Sequence, residues 1–360
     1  MKKIVIITNH SYMLWRFRLE LILELMKDSE VVIVTPFVGH EDDFKALGIR
    51  CIEVEVDRRG INPIKDAALF NTYRRILKKE APDMLITYSI KPNIYAGFAA
   101  RILGIPYNAN VQGIGTAFQK KHVRKVVTAL YKIALKRAKN VFFENEENAR
   151  LFRELHIIPK EKQVVLRGAG INLENYPAES YPENGAVRFL YLGRIMKEKG
   201  IDELFSAVRR LREKYKERVA LDLVGFFEDE YKEQTEALCN EGIAVFHGFK
   251  EDPRPYYRGA DCIVLPSYHE GMSNVLLEAG ATARPVITSD IPGCREAVED
   301  KKTGWLCKPC DAESLYRAMC LCVEASRDER MQMGALGRKK MENEFSRENV
   351  VEETVRALFD

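Results

Sequence analysis

Short apolar runs recur along this chain, separated by amphipathic stretches; the pattern stops once and then starts again. In the first half the runs fall at residues 4–8, 31–35, 51–56, 84–88, 107–111, 141–143 and 164–166. They are too short for helices, and most are too apolar for strands that wet one face. Strands of a parallel sheet, buried on both faces, read this way. Helical periodicity fills the gaps at 15–26, 63–79, 93–103, 123–138 and 146–155. Strand and helix in alternation imply a parallel sheet with helices on both sides.

The alternation halts at 172–186, where Tyr176-Pro177 and Tyr181-Pro182-Glu183-Asn184-Gly185 break any periodicity. It resumes with strands at 187–192, 219–224, 244–246, 262–265 and 285–288. Helices at 201–215, 230–239 and 274–281 lie among them. The end is helical, at 312–324, 328–344 and 347–358. At 360 residues two domains are the natural division. The expected organisation is a Rossmann-like domain at 1–170, a linker at 171–186, a second Rossmann-like domain at 187–345 and a terminal helix at 346–360. Ligands of such sheets bind outside the carboxyl ends of the strands, which in both domains would face a central cleft.

A dinucleotide fingerprint is missing. The loop after the first strand, Thr8-Asn9-His10-Ser11-Tyr12, has no glycine, and Gly113-Ile114-Gly115 lacks the third. Hydride transfer is therefore disfavoured. No apolar run approaches the ~20 residues of a membrane span, and Met1-Lys2-Lys3 is followed by too short an apolar run for a signal peptide. A cytoplasmic location is expected. The eight cysteines form no secreted framework. Cys307 and Cys310, with Cys320 and Cys322, have the count for zinc. The last two, however, are two apart on a helix and do not face each other.

Charge is unevenly spread. Residues 1–170 carry 29 Lys and Arg against 18 Asp and Glu, and the remainder carries 27 against 35. From Met84 to Phe143 there is no acidic residue and there are ten basic ones. Such a skew suits an anionic partner. No nucleic-acid module accompanies it, so the inner leaflet of a membrane or a lipid diphosphate is the expected partner.

Two segments of the second half carry chemistry. In Pro266-Ser267-Tyr268-His269-Glu270-Gly271-Met272-Ser273-Asn274-Val275-Leu276-Leu277-Glu278-Ala279, two carboxylates bracket a strand-to-helix junction. At helical rise their separation is about 12 Å, near the span from a hexose to a ribose across a diphosphate. The helix start between them favours phosphate. In Gly193-Arg194-Ile195-Met196-Lys197-Glu198-Lys199-Gly200, the glycine lets a phosphate approach, and Arg194 and Lys199 supply a planar fork and a point charge. Together these segments describe a site for a nucleotide sugar.

Gly-Arg-x-x-x-x-Lys-Gly followed by Pro-Ser-x-x-Glu-Gly-x-x-x-x-x-Leu-Glu-Ala, with Pro285 to Ser289, Gly293-x-x-Glu296 and Gly304, resembles the retaining family-4 glycosyltransferases. The resemblance implies the two-domain GT-B fold, with the last helix crossing back to the first domain. It also implies a donor site in which Arg194 and Lys199 hold the diphosphate, Glu270 meets the sugar hydroxyls and Glu278 meets the ribose. Gly193 and the backbone of Gly271, Met272, Ser273 and Asn274 would line it. The amino half resembles transferases that build polyprenyl-diphosphate-linked glycans. The residues are Tyr12-Met13-Leu14-Trp15-Arg16-Phe17-Arg18, Gln112-Gly113-Ile114-Gly115-Thr116-Ala117-Phe118 and Gly168-Ala169-Gly170-Ile171-Asn172. Members include N-acetylgalactosaminyl- and galactosyltransferases of capsule, O-antigen and protein glycosylation. By that likeness a UDP-linked donor and a lipid-linked saccharide acceptor are implied, at the inner membrane face.

Departures from the family pattern are Ala283-Arg284-Pro285, where a small glycine is usual, and Gln112, where many relatives have histidine. Acceptor or cleft candidates are His10, Arg16, Arg18, Gln112, Gly113, Glu144 and Asn145, each near the end of a strand or the start of a helix. His122, among Lys120, Lys121, Arg124 and Lys125, would meet lipid phosphate. Trp15 and Phe17 alternate with Arg16 and Arg18, as either a packed helix face or a membrane-facing lip. No Asp-x-Asp occurs, so no metal and no cofactor is expected, and Arg194, Lys199 and helix amides would steady the leaving diphosphate. Two other readings stay open, an epimerase acting on UDP-N-acetylglucosamine and a silent sugar-nucleotide-binding subunit.

Overall fold

A computed structural model describes residues 1–57, 62–114, 121–183 and 185–360, apart from the side chains of Lys121 and His122. Residues 115–118 of the amino-half motif, Asn184 of the expected linker and the His122 side chain lie outside the described residues. The chain forms two compact units. One is Met1–Ala169 with Glu348–Asp360, and the other is Gly170–Arg347.

The first unit is built on seven parallel strands: β1 Lys2–Ile7, β2 Ser29–Thr35, β3 Arg50–Glu53, β4 Met84–Tyr88, β5 Tyr107–Val111, β6 Val141–Phe143 and β7 Gln163–Val165. Their order is 3-2-1-4-5-6-7. Because side chains alternate across a strand, each apolar run feeds two cores. Val5, Ile7, Val32, Val34 and Leu85 enter one. Ile4, Ile6, Val31, Ile33 and Ile86 enter the other. This double burial explains the unbroken apolar runs. The terminal helix Arg347–Phe359 adds Val350 and Leu358 to the second of these cores. There Lys139 Nζ donates to the Leu358 carbonyl at 3.0 Å and Asn140 Nδ2 to that of Ala357 at 2.6 Å.

The second unit holds six parallel strands: β8 Val187–Leu192, β9 Val219–Val224, β10 Ala244–Phe246, β11 Cys262–Leu265, β12 Val286–Ser289 and β13 Gly304–Cys307. Their order, β10-β9-β8-β11-β12-β13, repeats the 3-2-1-4-5-6 winding. In each sheet the order reverses beside the first strand, at β1/β4 and at β8/β11. The crevice outside the carboxyl ends of those strands is where doubly wound sheets take ligands.

Three local features differ from the sequence expectation. Strand β13 falls within a stretch read for its cysteines, because four residues opening on Gly304 show little periodicity. The helix expected at 93–103 is a π-helical turn, Pro92–Ala96, running into Gly97–Leu103. The expected linker 171–186 is no tether, since from Gly170 on it belongs to the second unit. Tyr176 and Tyr181 are buried there, and the Tyr181 hydroxyl donates to the Asp261 carbonyl at 2.7 Å. Its aromatic side chains had a core to enter, so the turn-rich sequence packs as an outer layer of the domain.

Arg284 secures that layer. It is completely buried, and its guanidinium donates to the carbonyls of Tyr257, Glu179, Thr282, Ser180 and Arg258 at 2.7–3.1 Å. The guanidinium also lies over the Tyr181 ring at 5.4 Å. Burial lowers its pKa from the ordinary arginine range. Ala283 beside it holds φ at +57°, in the left-handed region where the related pattern has glycine.

Candidate active site

The carboxyl end of β8 turns at Gly193, and that of β11 runs into Pro266. The two ends are neighbours because β8 and β11 pair in parallel, with Cys262 opposite Phe189 and Ile263 opposite Leu190. The motifs that the sequence separates thus meet at the switch point of one sheet.

Lys199 ends the short 3-10 turn Lys197–Lys199, and Gly200 follows with φ +72°. An added Cβ at Gly200 would stand 2.1 Å from the Pro266 carbonyl oxygen, so only glycine lets the turn lie on the loop. The Tyr268 N–H donates to the Glu198 carbonyl at 2.9 Å, and the Tyr268 hydroxyl contacts Glu203 at 2.8 Å. Held in this way, Lys199 Nζ sits 2.5 Å from Glu270 Oε1, with both side chains more than four-fifths buried. Burial, followed by the Glu270 charge, keeps the Tyr191 hydroxyl well above its ordinary pKa. That hydroxyl donates to the Arg194 carbonyl at 2.6 Å. Burial, and next Glu270, also raises the Cys294 thiol. Cys294 is therefore a protonated, packed thiol and not a nucleophile.

Residues 270–273 are loop, and the helix is Asn274–Ala281. The helical-rise reckoning of about 12 Å between the two carboxylates therefore does not hold over its first half. Gly293 presses on this loop. Its φ is +81°, and a Cβ there would meet the Gly271 carbonyl at 2.1 Å. The Ser273 N–H donates to the Gly293 carbonyl at 2.9 Å, while the Gly293 N–H is taken by Glu296 at 2.7 Å. Ser273 occupies the N-cap position without a side-chain cap bond, so the helix start is available to an anion. Met272 and Ser273 are buried, Asn274 is half-buried and His269 is exposed.

Arg194 and Glu278 have partners of their own. Arg194 Nη1 pairs with Glu228 Oε2 at 2.6 Å. Glu278 is 5% exposed, and the Tyr257 hydroxyl donates to its Oε2 at 2.9 Å. Sequence reasoning did not single out Glu228 or Tyr257. The signal for Glu228 was its place directly after β9, beside β8, in Phe226-Phe227-Glu228-Asp229. For Tyr257 nothing local pointed to the site.

Among the amino-half candidates, Arg18 and Glu144 come together. Arg18 is buried, and its Nη2 lies 2.8 Å from Glu144 Oε1, with the guanidinium 5.5 Å from the Tyr88 ring centre. Asn145 caps the helix Glu146–Glu154 by accepting from the Asn148 N–H at 2.8 Å. His10 stands at the N-cap of the helix Ser11–Met26, edge-on to Tyr12 at 6.2 Å. Arg16, Gln112 and Gly113 are half-buried. Of the four residues Trp15, Arg16, Phe17 and Arg18 read as a packed face or a membrane-facing lip, Arg18 is buried and the other three are half-buried. Trp15 stacks on His40 at 5.1 Å and meets Phe44 edge-on, while Arg18 is buried against Glu144. That helix face packs because the loop after β2 supplies a ring for Trp15 to lie on. Among the described residues no group of three or more His, Cys, Asp or Glu side chains is arranged to hold a metal ion.

Two parallel sheets of the same winding, one in each unit, are the sheets of a GT-B fold. The model for glycosyl transferases group 1 matches residues 174–340, and that for glycosyl transferase 4-like proteins matches residues 3–145. Together they cover more than four-fifths of the chain, which belongs to this glycosyltransferase family. It is 27% identical to the Campylobacter jejuni N,N'-diacetylbacillosaminyl-diphospho-undecaprenol alpha-1,3-N-acetylgalactosaminyltransferase, over 96% of this chain and 95% of that one. It is 27% identical to the Escherichia coli UDP-Gal:alpha-D-GlcNAc-diphosphoundecaprenol alpha-1,3-galactosyltransferase, over 79% and 76%. Among solved structures, Anabaena HepE in complex with UDP-glucose superposes with a TM-score of 0.79 at 17% identity, covering 99% of each chain.

Proposed function

We propose that this protein transfers a hexose or N-acetylhexosamine, with retention, from a UDP-sugar to an undecaprenyl-diphosphate-linked saccharide in bacterial surface-glycan or glycoprotein synthesis. The observation that carries the reading is the Lys199–Glu270 contact of 2.5 Å beside the uncapped start of Asn274–Ala281. A cation, a carboxylate and backbone N–H groups at one place answer the three parts of a sugar diphosphate. The names of the Campylobacter and Escherichia relatives support the acceptor class.

Lys199 and Arg194 would hold the diphosphate, with Gly193 giving close approach. Glu270 would take donor-sugar hydroxyls, and the backbone of Gly271 to Asn274 would line the phosphate and sugar. Glu278, fixed by Tyr257, would take the ribose. The acceptor oxygen forms a bond to the anomeric carbon on the face from which the diphosphate departs. The carbon–oxygen bond to phosphate breaks with its electron pair, and the acceptor proton passes to the leaving phosphate oxygen. Positive charge and N–H dipoles placed where that phosphate charge develops lower the barrier. The reaction in this reading uses no metal or other cofactor. The basic first half would bring the protein to an anionic inner membrane face.

A panel of UDP- and GDP-sugars, screened by thermal shift and then by turnover on undecaprenyl-diphosphate-linked saccharides, tests the reading. One UDP-sugar should be transferred, and NMR should show an α-linkage from the α-linked donor. A β-linked product would refute retention. Epimerised sugar nucleotide without acceptor, or binding without turnover on any acceptor, would replace the reading altogether.

A further inference from the structure

At the switch point of the first sheet, β1 and β4 pair in parallel with Ile7 opposite Thr87. Thr8-Asn9 follows β1 and Ser89 follows β4. Two polar residues 80 positions apart therefore stand together at the carboxyl ends of those strands. Ser89 Oγ donates to Asn9 Oδ1 at 2.8 Å, and both residues are half-buried.

Ser89 is held in a conformation that serine rarely takes. Its φ is +74°, in the left-handed region where a Cβ crowds the following carbonyl oxygen. Its surroundings fix it there. The Asn93 N–H donates to the Ser89 carbonyl at 3.0 Å, and Asn93 Nδ2 donates to the Asn110 carbonyl at 2.8 Å. Lys91 Nζ pairs with Asp66 Oδ1 at 2.8 Å, with both side chains more than four-fifths buried, and ties the loop to the helix Pro63–Glu80. The π-helical turn Pro92–Ala96 follows directly. Strained residues persist where their surroundings over-determine them, and both they and π-helical turns gather at functional sites. Glycine would take this φ without strain. A serine here keeps a hydroxyl at the cost of strain.

The bond between the two side chains leaves Asn9 Nδ2 with its N–H donors and Ser89 Oγ with a lone pair. Among the described residues neither is taken by another group. A donor beside an acceptor matches a sugar hydroxyl, which gives one hydrogen bond and takes one. Neither residue is charged, and Lys91 is already paired with Asp66, so the pair suits a neutral saccharide better than a phosphate.

We propose that Asn9 and Ser89 form a subsite for a hydroxyl of the acceptor saccharide and set which sugar is accepted. Lys91 and Asp66 are positioning residues that keep Ser89 in place. The proposal rests on the reading that the acceptor is a lipid-linked saccharide. It moves acceptor recognition away from Arg18, Glu144 and Asn145, of which the first two pair with each other and the third caps a helix.

Kinetics on undecaprenyl-diphosphate-linked N-acetylglucosamine, N-acetylgalactosamine and glucose, and on monodeoxy analogues of the one turned over fastest, test it. Ser89→Gly removes the hydroxyl and relieves the backbone. Its urea midpoint should equal or exceed that of the wild type, while the acceptor KM rises about tenfold, the loss of one hydrogen bond. Affinity for UDP should stay within about twofold. Asn9→Ala should raise the acceptor KM similarly. One monodeoxy analogue should lose about tenfold on the wild type and nothing further on Ser89→Gly, because the partner of that hydroxyl is gone. An unmoved acceptor KM in both variants would overturn the proposal alone, and so would the same analogue penalties in wild type and variant. Losses of UDP affinity equal to the rise in acceptor KM would also overturn it. No turnover by the wild type on any of the three acceptors would refute the reading of the acceptor, and the proposal with it.

Discussion

Lys199 Nζ and Glu270 Oε1 are 2.5 Å apart, although 71 positions separate them in the chain. The contact exists because β8 and β11 are adjacent and because Gly200 allows the turn after β8 to lie against Pro266. It puts the cation assigned to the diphosphate and the carboxylate assigned to the sugar within one hydrogen bond of each other. On the proposed reading, donor binding and the stability of this corner are coupled.

Glu270→Ala should abolish measurable transfer, a loss of about 10²–10³-fold or more if the carboxylate acts in the transition state. The fold should persist, because the freed Lys199 is not sealed from water. Turnover on lipid-linked acceptor, with circular dichroism as the control, checks this. Wild-type-like turnover would remove Glu270 from the site.

Lys199→Ala should weaken donor binding by about 10–100-fold, the range for a hydrogen bond to a charged group. Acceptor affinity should change little. Calorimetric titration with UDP-sugar and separately with acceptor distinguishes the two, and equal losses would contradict the diphosphate role.

Gly200→Ala should destabilise the protein and reduce donor affinity together, since the new methyl meets the Pro266 carbonyl at 2.1 Å with φ at +72°. Gly48→Ala is the matched control, with φ +80° and nothing within 4 Å. It carries the backbone strain without the collision, about 1 kcal/mol. Urea unfolding and donor titration of the two variants compare the effects. Equal donor affinities would show that the Gly200 contact does not position Lys199.

Arg284→Met should cost about 3–5 kcal/mol of stability. It removes donors from six buried or half-buried carbonyls of the layer at 179–180, the helix Arg254–Gly259 and the helix-to-strand turn before β12. The midpoint of urea unfolding should fall with the slope unchanged. Donor affinity of the folded fraction should fall far less than stability, because the link to the proposed donor site runs through Tyr257, whose carbonyl Arg284 holds and whose hydroxyl meets Glu278.

Strands β4, β5, β6, β8, β9, β10 and β11 were legible to the residue, because parallel strands largely buried on both faces leave short, mostly apolar runs between amphipathic stretches. Strand β13 was not legible, as its four residues open on glycine and end on a cysteine. The segments Gly193–Gly200 and Pro266–Ala279, which the structure brings together, were legible as residue types at fixed spacing. Its partners were not, since Glu228 and Tyr257 reach Arg194 and Glu278 through pairings that no local pattern encodes. Arg284 looked like a small departure from a family pattern and is a fully buried anchor. A charged residue at such a depth is tolerated only with partners, and those partners are backbone carbonyls that leave no mark in the sequence.

The sequence by itself determined two parallel α/β sheets, a glycosyltransferase motif in the second half and a basic, acid-free stretch in the first. These are properties of residue type and local spacing. Only the tertiary structure decided that Lys199 meets Glu270, that Arg18 is spent on Glu144, and that Trp15 is packed. Those outcomes depend on which strands are neighbours and which helix face a core covers. The physical reason is that hydrogen bonds and apolar burial act over a few ångströms in space, whatever the separation along the chain.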